Sequence, residues 1–264
     1  MIVYRACKGL EELQACVDME IEVWGYCEGD VIPRRAFLVS QKIGGQVIGA
    51  FDTSLSGAPE RGDAGSMVGF AYSLPGVKMT EGKPEAYLHS HMLAVRESYR
   101  NQSLGRQLKL AQRVDALARG IRLMEWTFDP LEIKNAYLNV SKLGAVMGRY
   151  EENFYGSSTS KLQGGLPTDR LVAEWWLDSP RVVAAIAGQV PEPPVSGEKL
   201  TVPGQVYAWK ASDAEREKAR AVQAENRERF QRLFAEGLAV VAFTRDGEGN
   251  GTYHVSEWGE PTED

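Results

Sequence analysis

Apolar and polar positions alternate with a period of two over Ile2–Ala6. They then switch to helical spacing at Leu10, Leu13, Val17, Glu20 or Ile21, and Trp24, a stripe stopped by Gly25. Pro33 suits the first turn of a second helix running to about residue 43. Strands are predicted at Gln46–Asp52, launched from Gly44-Gly45, and at 67–74, closed by Pro75-Gly76. Residues 53–66 and 78–84 read as polar connections. Residues 88–95 lack Gly and Pro and form the next strand, whose alternation puts His89, His91, Leu93 and Val95 on one face and Ser90, Met92 and Ala94 on the other. A tight turn at 100–105 feeds an amphipathic helix with Leu104, Leu108, Ala111 and Ala118 on its apolar side, ending near Arg119 with Gly120 as C′.

Leu123–Phe128 is the following strand, and the strand–helix–strand order requires it to run parallel to residues 88–95 with a right-handed crossover. Asp129-Pro130-Leu131-Glu132 has the makings of a helix start, with Asp129 as cap and Glu132 completing a capping box. A catalytic Asp129 is the competing interpretation. This helix runs to Leu143 and ends at Gly144; residues 149–155 and 170–177 are strands joined by the Gly- and Ser-rich stretch 156–169. Ser179-Pro180 opens a short helix ended by Gly188, and the proline-rich run 190–197 is the best linker in the chain. Beyond it, 205–210 reads as a strand, 213–235 as a highly charged, solvated helix, and 238–244 with 252–258 as a hairpin. The expected division is therefore a first domain over 1–190 and a small strand–helix–hairpin lobe over 198–264. Such a lobe is too small to stand comfortably alone, so it is expected to dock on the first domain or on a second copy of the chain, the latter giving a homodimer.

Composition narrows the function. A 264-residue chain that is 43% hydrophobic and 25% charged is an ordinary globular sequence, and a net charge of −6 argues against broad binding to nucleic acid or an anionic membrane and mildly favours cationic substrates. No apolar run is long enough to span a bilayer, and the N-terminus does not look like a signal peptide, so a cytoplasmic location is expected. Cys7, Cys16 and Cys27 make no metal-type spacing and read as reduced thiols; with three histidines in all, no metal site is expected.

The chemistry gathers around residues 88–106. A turn feeding a helix start leaves backbone N–H groups without partners, an arrangement that attracts phosphate, and Arg100 and Arg106 add positive charge. The run Arg100-Asn101-Gln102-Ser103-Leu104-Gly105 after a strand resembles the central motif of the GCN5-related N-acetyltransferase (GNAT) superfamily, Arg/Gln-x-x-Gly-x-Gly/Ala, with Ser103 in the first glycine position. The resemblance covers about residues 1–178. It implies an α/β fold with a mixed sheet, the GNAT acyl-CoA N-acyltransferase fold, here followed by a small C-terminal α+β extension. It also implies acetyl-CoA as cosubstrate, without a metal, its diphosphate held by the amides of 100–106 and its pantetheine arm by backbone groups of Leu93, Ala94 and Val95, the Leu93 N–H facing the thioester oxygen.

The run His89-Ser90-His91-Met92-Leu93-Ala94-Val95 is similar to the strand of arylalkylamine N-acetyltransferases, which carries a histidine pair before Leu-Ala-Val; the chain is identified as a bacterial-type member of the superfamily. By that resemblance His91 is the general base and His89 its relay, although two sheet-face histidines without a catalytic role would give the same pattern. Asn135 is implied as a cofactor contact. The position of the family's thiolate-protonating tyrosine holds Val140, leaving Tyr137, Ser141, Tyr155 or water for that task. Acceptor recognition is expected from Trp24, Tyr26, Glu28 and Asp30, aromatic and acidic together, although acidic loop residues are commonly just solvated. The function expected is transfer of an acetyl group to a small-molecule amine. The competing expectations are a CoA-binding or interaction protein with weak catalysis, and a protein N-acetyltransferase.

Overall fold

The computed structural model describes residues 1–27, 29–57, 60–80, 82–156 and 163–259. The chain forms two compact units, Met1–Met124 and, from Glu125 onward, the rest of these residues. In the first, β1 (Ile2–Ala6), β2 (Gln46–Asp52), β3 (Met67–Thr80) and β4 (Lys83–Val95) make an antiparallel meander in that order. Helices α1 (Gly9–Trp24) and α2 (Arg34–Lys42) cover one face, and α3 (Leu104–Ala118) the other. The stop predicted at Gly25 is there: φ is 67°, and its N–H closes the helix on the Ile21 carbonyl at 2.9 Å.

The α1/α2 face packs Leu13, Met19, Phe37, Phe70, Tyr72, Met92 and Ala94 into one apolar layer. Of the two residues the periodicity left open, Glu20 is the one turned inward, fully buried, while Ile21 is 51% exposed. The expected break at Pro75-Gly76 does not occur; β3 runs on to Thr80 and the hairpin with β4 extends to Thr80↔Lys83. Pairing of β3 with β2 stops at Ser73, so Pro75 lies past the last residue from which β2 takes a hydrogen bond, where a missing N–H costs nothing. Gly76 faces Tyr87, whose ring fills the room a side chain would occupy, with a Cβ falling 2.5 Å from Tyr87 Cε1.

The second unit is a sheet of β5 (Leu123–Phe128), β7 (Arg170–Trp176), β6 (Val146–Glu151), β9 (Leu238–Arg245), β10 (Gly251–Glu257) and β8 (Glu198–Val202), in that spatial order. Its helices are α4 (Ile133–Ala136), α5 (Pro180–Ile186), α6 (Val206–Ala211) and α7 (Arg216–Ala235). The hairpin β9–β10 is not a separate layer, because β9 pairs with β6 through Met147↔Val240. Trp175 is fully buried, its indole N–H donating to the Leu143 carbonyl at 2.7 Å and its ring edge-on to Trp126.

Two local expectations are corrected here. Residues 205–210 are helical, and the strand lies before Pro203-Gly204, at β8; Val206 and Lys210 are buried at helical spacing, i and i+4. Asp129 does not cap a helix. Its Oδ1 accepts the Leu131 N–H at 2.8 Å in a local turn, its Oδ2 and Glu132 Oε1 both take the buried Lys210 ammonium, and the helix begins only at Ile133. The charged helix α7 is solvated on one side only, since Ala219, Gln223, Asn226, Phe230 and Leu233 are buried. No helix among the described residues is long and apolar enough to cross a membrane.

Candidate active site

The β3–β4 register breaks at one point. Tyr72 stands opposite Met92 and Ser73 opposite Ser90, so His91 has no counterpart on β3 and forms a β-bulge. Simple alternation cannot foresee an inserted residue, and the bulge resets the faces. Leu93 and Val95 pack with Leu104 and Leu108 on the α3 side. Ser90 lies on that side too, accepting from Lys109 Nζ at 2.8 Å and donating to Gln112 Oε1 at 3.1 Å. Both histidines turn to the α1/α2 side, in company with Met92 and Ala94. His91 meets Tyr72 edge-on at 6.0 Å between ring centroids, and His89 lies 6.0 Å from His91 at a tilt of 40°. The predicted sharing of one face by His89, His91, Leu93 and Val95 is therefore corrected: the histidines part from the apolar pair.

Burial lowers the His91 pKa, so the imidazole is neutral near pH 7 and able to accept a proton. Burial likewise holds Lys109 well below the ordinary lysine range. Tyr72 is raised by burial, against a hydrogen bond with Ser40 and with a further push from the charge of Glu20.

The same face carries the aromatic end of α1. Trp24 and Tyr26 are stacked at 5.5 Å and 15°, half-buried, with Asp30 also half-buried nearby in sequence; Glu28 lies outside the described residues. Beneath them in the helix, Glu20 is enclosed. Its Oε2 accepts the Ile32 N–H at 2.9 Å, while Oε1 has no hydrogen-bond partner among the described residues. Burial pushes this carboxyl up to about 7, against the Ile32 hydrogen bond. Sequence reasoning passed over Glu20. The available signal was a carboxylate at a position of the apolar stripe.

Glu20 also makes stability depend on pH. A carboxyl whose folded pKa is raised holds in the native state a proton that the unfolded chain releases, so stability falls as pH rises from about 4.5 through about 7. A rise from about 4.5 to about 7 corresponds to roughly 3 kcal/mol. Urea unfolding at pH 5 and pH 8 should show the wild type losing about that much more stability than Glu20→Gln between the two. Parallel pH profiles for the two proteins would contradict the assignment.

At the end of β4 the chain turns through exposed Arg100, Asn101, Gln102 and Ser103 into α3. Asn101 and Ser103 both have left-handed backbones, at φ 62° and 64°. Ser103 gives no side-chain hydrogen bond to the helix start, and the N–H groups of Leu104, Gly105 and Arg106 precede the first intrahelical acceptor. The Arg100 Nε–H donates to the Val95 carbonyl at 3.3 Å, and Gln102 Nε2 to the Ser98 carbonyl at 3.0 Å, which ties the turn together. Successive amides and guanidinium groups are a donor set that fits a diphosphate. The left-handed backbone of Ser103 is one that glycine would adopt without strain. Ser103→Gly relieves about 1–2 kcal/mol of backbone strain and gives back about 0.4–1 kcal/mol in unfolded-chain entropy. Denaturant unfolding should therefore show a net gain of about 0.5–1 kcal/mol; a loss would mean that the serine side chain stabilises the corner.

In the second unit, α4 continues as a π-turn over Tyr137–Lys142, the Leu143 N–H reaching the Leu138 carbonyl at 3.0 Å. Asn135 is exposed and Asn139 buried. The Tyr137 ring lies under the Arg245 guanidinium, 3.9 Å from its centroid, with Lys142 Nζ at 5.4 Å. Val140 is fully buried. Of the other hydroxyls, Ser141 donates to the Phe243 carbonyl at 2.9 Å and Tyr155 pairs with Thr127 at 2.9 Å. Among the described residues no group of three or more His, Cys, Asp or Glu is placed to hold a metal ion.

No family model matches the chain, and no curated protein matches it. Solved structures do. The chain is similar to the Arabidopsis thaliana NAA60 in complex with acetyl-CoA, at 14% identity and a TM-score of 0.50 over 67% of this chain and 99% of that one. It also matches a putative GNAT-family acetyltransferase from Desulfovibrio desulfuricans, at 13% identity and a TM-score of 0.49 over 67% and 99%. A third is the ribosomal-protein-S18-alanine N-acetyltransferase from Escherichia coli, at 14% identity and 0.48 over 68% and 96%. At such identities the likeness is one of fold: the chain has the mixed α/β fold of the GNAT acetyltransferases.

Proposed function

We propose that the protein is an acetyl-CoA-dependent N-acetyltransferase acting on a small-molecule amine, with His91 as general base. The observation that carries this reading is the geometry of β4: one bulge turns a half-buried, neutral imidazole to the α1/α2 face just before a corner of left-handed residues and a helix start without a side-chain cap. The Ser103, Leu104, Gly105 and Arg106 amides with the arginines at 100 and 106 would hold the diphosphate, and Asn101 and Gln102 shape the turn. Backbone groups of Leu93, Ala94 and Val95 would hold the pantetheine arm. Acetyl-CoA, when bound, supplies an activated thioester carbonyl. His91 takes the proton of the attacking amine and His89 passes it outward, and Trp24, Tyr26 and Asp30 are the described side chains offered to the acceptor. Positioning supplies most of the acceleration and the base the remainder.

Calorimetric titration with CoA tests the reading. Wild-type protein is expected to bind CoA, and Arg100→Glu with Arg106→Glu to weaken it by about tenfold or more, the loss of charge-assisted phosphate contacts. Release of free thiol from acetyl-CoA should require an added amine. No binding at millimolar CoA would overturn the proposal.

A further inference from the structure

The α1/α2 face holds one polar atom that neither the fold nor the proposed base uses. Glu20 is 0% exposed, and its carboxylate is half-satisfied: Ile32 N–H engages Oε2 at 2.9 Å, and Oε1 has no donor among the described residues. An enclosed carboxylate oxygen without a donor is costly, and such a group is understandable where a ligand brings the missing donor. Its surroundings point to the kind of ligand. Trp24 stands one helical turn further along α1 and is stacked on Tyr26, and Trp24, Tyr26 and Ile32 pack against the same apolar layer as Tyr72 and Met92. Tyr72 in turn touches His91. A carboxylate oxygen lacking a donor, aromatic side chains in the apolar layer on the same face and a neutral imidazole against one of them together suit a cation that carries N–H donors on an apolar body.

We propose that Glu20 is the acceptor-recognition residue of this site, and that Oε1 receives the ammonium of a primary alkylamine bound in its cationic form. The chemistry after binding rests on the acetyl-transfer reading, but the binding itself stands apart from it. Because Glu20 is fully buried, side chains of this layer must shift to admit the ligand. Glu20 is then a specificity residue: it selects an ammonium over a neutral isostere, and His91 is the group to which that ammonium loses its proton.

The test compares n-hexylammonium with 1-hexanol as probes, by calorimetric titration of wild type, Glu20→Gln and Glu11→Gln. Wild type should prefer the ammonium by at least about tenfold, the scale of one hydrogen bond to a charged group. Glu20→Gln should abolish that preference and leave CoA affinity as it was, and Glu11→Gln, a change at an exposed carboxylate of the same helix, should retain the preference. Independently of any variant, the Glu20 carboxyl carbon resonance of wild-type protein should move on addition of n-hexylammonium and stay still with 1-hexanol. A preference that survives in Glu20→Gln, one that vanishes in Glu11→Gln alone, or an unmoved Glu20 resonance overturns the proposal. Failure of CoA to bind would instead remove the acetyl-transfer reading, while the two probes still decide the ammonium site.

Discussion

If His91 is the base proposed above, His91→Ala should lower turnover of an amine acceptor by about 10²–10⁴-fold, the usual contribution of a positioned general base, and leave the affinity for CoA unchanged. So large a loss reflects place and protonation together. The bulge removes His91 from the pairing pattern with β3 and sets its ring against Tyr72, and burial keeps the imidazole neutral where an ordinary histidine is partly charged. A base with a lowered pKa stays active to lower pH, so the acid limb of kcat/KM should lie below the ordinary histidine value of 6.5 and disappear in His91→Ala. His89→Ala should cost less, because a relay is replaceable by water. Steady-state kinetics over pH 5–9 and a parallel CoA titration check both statements. Undiminished turnover in His91→Ala would return both histidines to the sheet face as packing residues.

The second large effect is structural. Lys210→Met destabilises the second unit by about 3–5 kcal/mol, the cost of stranding a buried carboxylate. Lys210 is 6% exposed, and its ammonium lies 2.8 Å from Asp129 Oδ2 and 2.9 Å from Glu132 Oε1. Burial alone would lower the lysine pKa; the two carboxylates outweigh burial and leave it raised. Methionine fills a similar volume, so the loss measures the charge left behind and not a cavity. Asp129→Asn in the same chain should recover part of it, making the double variant more stable than the sum of the two single changes implies. Urea unfolding followed by tryptophan fluorescence reads all three variants. A loss below about 1 kcal/mol, as for an exposed pair, would mean that solvent reaches the cluster.

Much of the fold was legible because it rests on long periodic runs. The stripes of α1 and α3, the left-handed glycines that end them and the β9–β10 hairpin carry enough repeats to outvote any single residue. The errors fall where one residue decides. Pro75-Gly76 reads as a break on local chemistry, yet β3 continues because β2 has already ended and Tyr87 needs the space beside the glycine. At 205–210 the run is too short for periodicity to separate strand from helix, and the choice is made by the pair Val206 and Lys210, the latter drawn inward by carboxylates some eighty residues away in sequence. Of the candidate site, the corner at 100–105 was visible as a motif. The orientation of the histidines was not, because a bulge is a property of two strands and no single strand announces it. Glu20 was hidden for a related reason: a stripe tolerates one polar residue, and its spacing cannot say whether that residue or its neighbour turns inward.

The bulge at His91 bears on how such a protein can change over time. Every other residue of β4 from Lys83 to Val95 is matched to a residue on β3, so a replacement there must suit its opposite number. Position 91 answers to no such counterpart. A replacement at that point answers to the Tyr72 ring and not to a strand partner, so the side chain proposed as base is exchangeable without rewriting the register of β3 and β4.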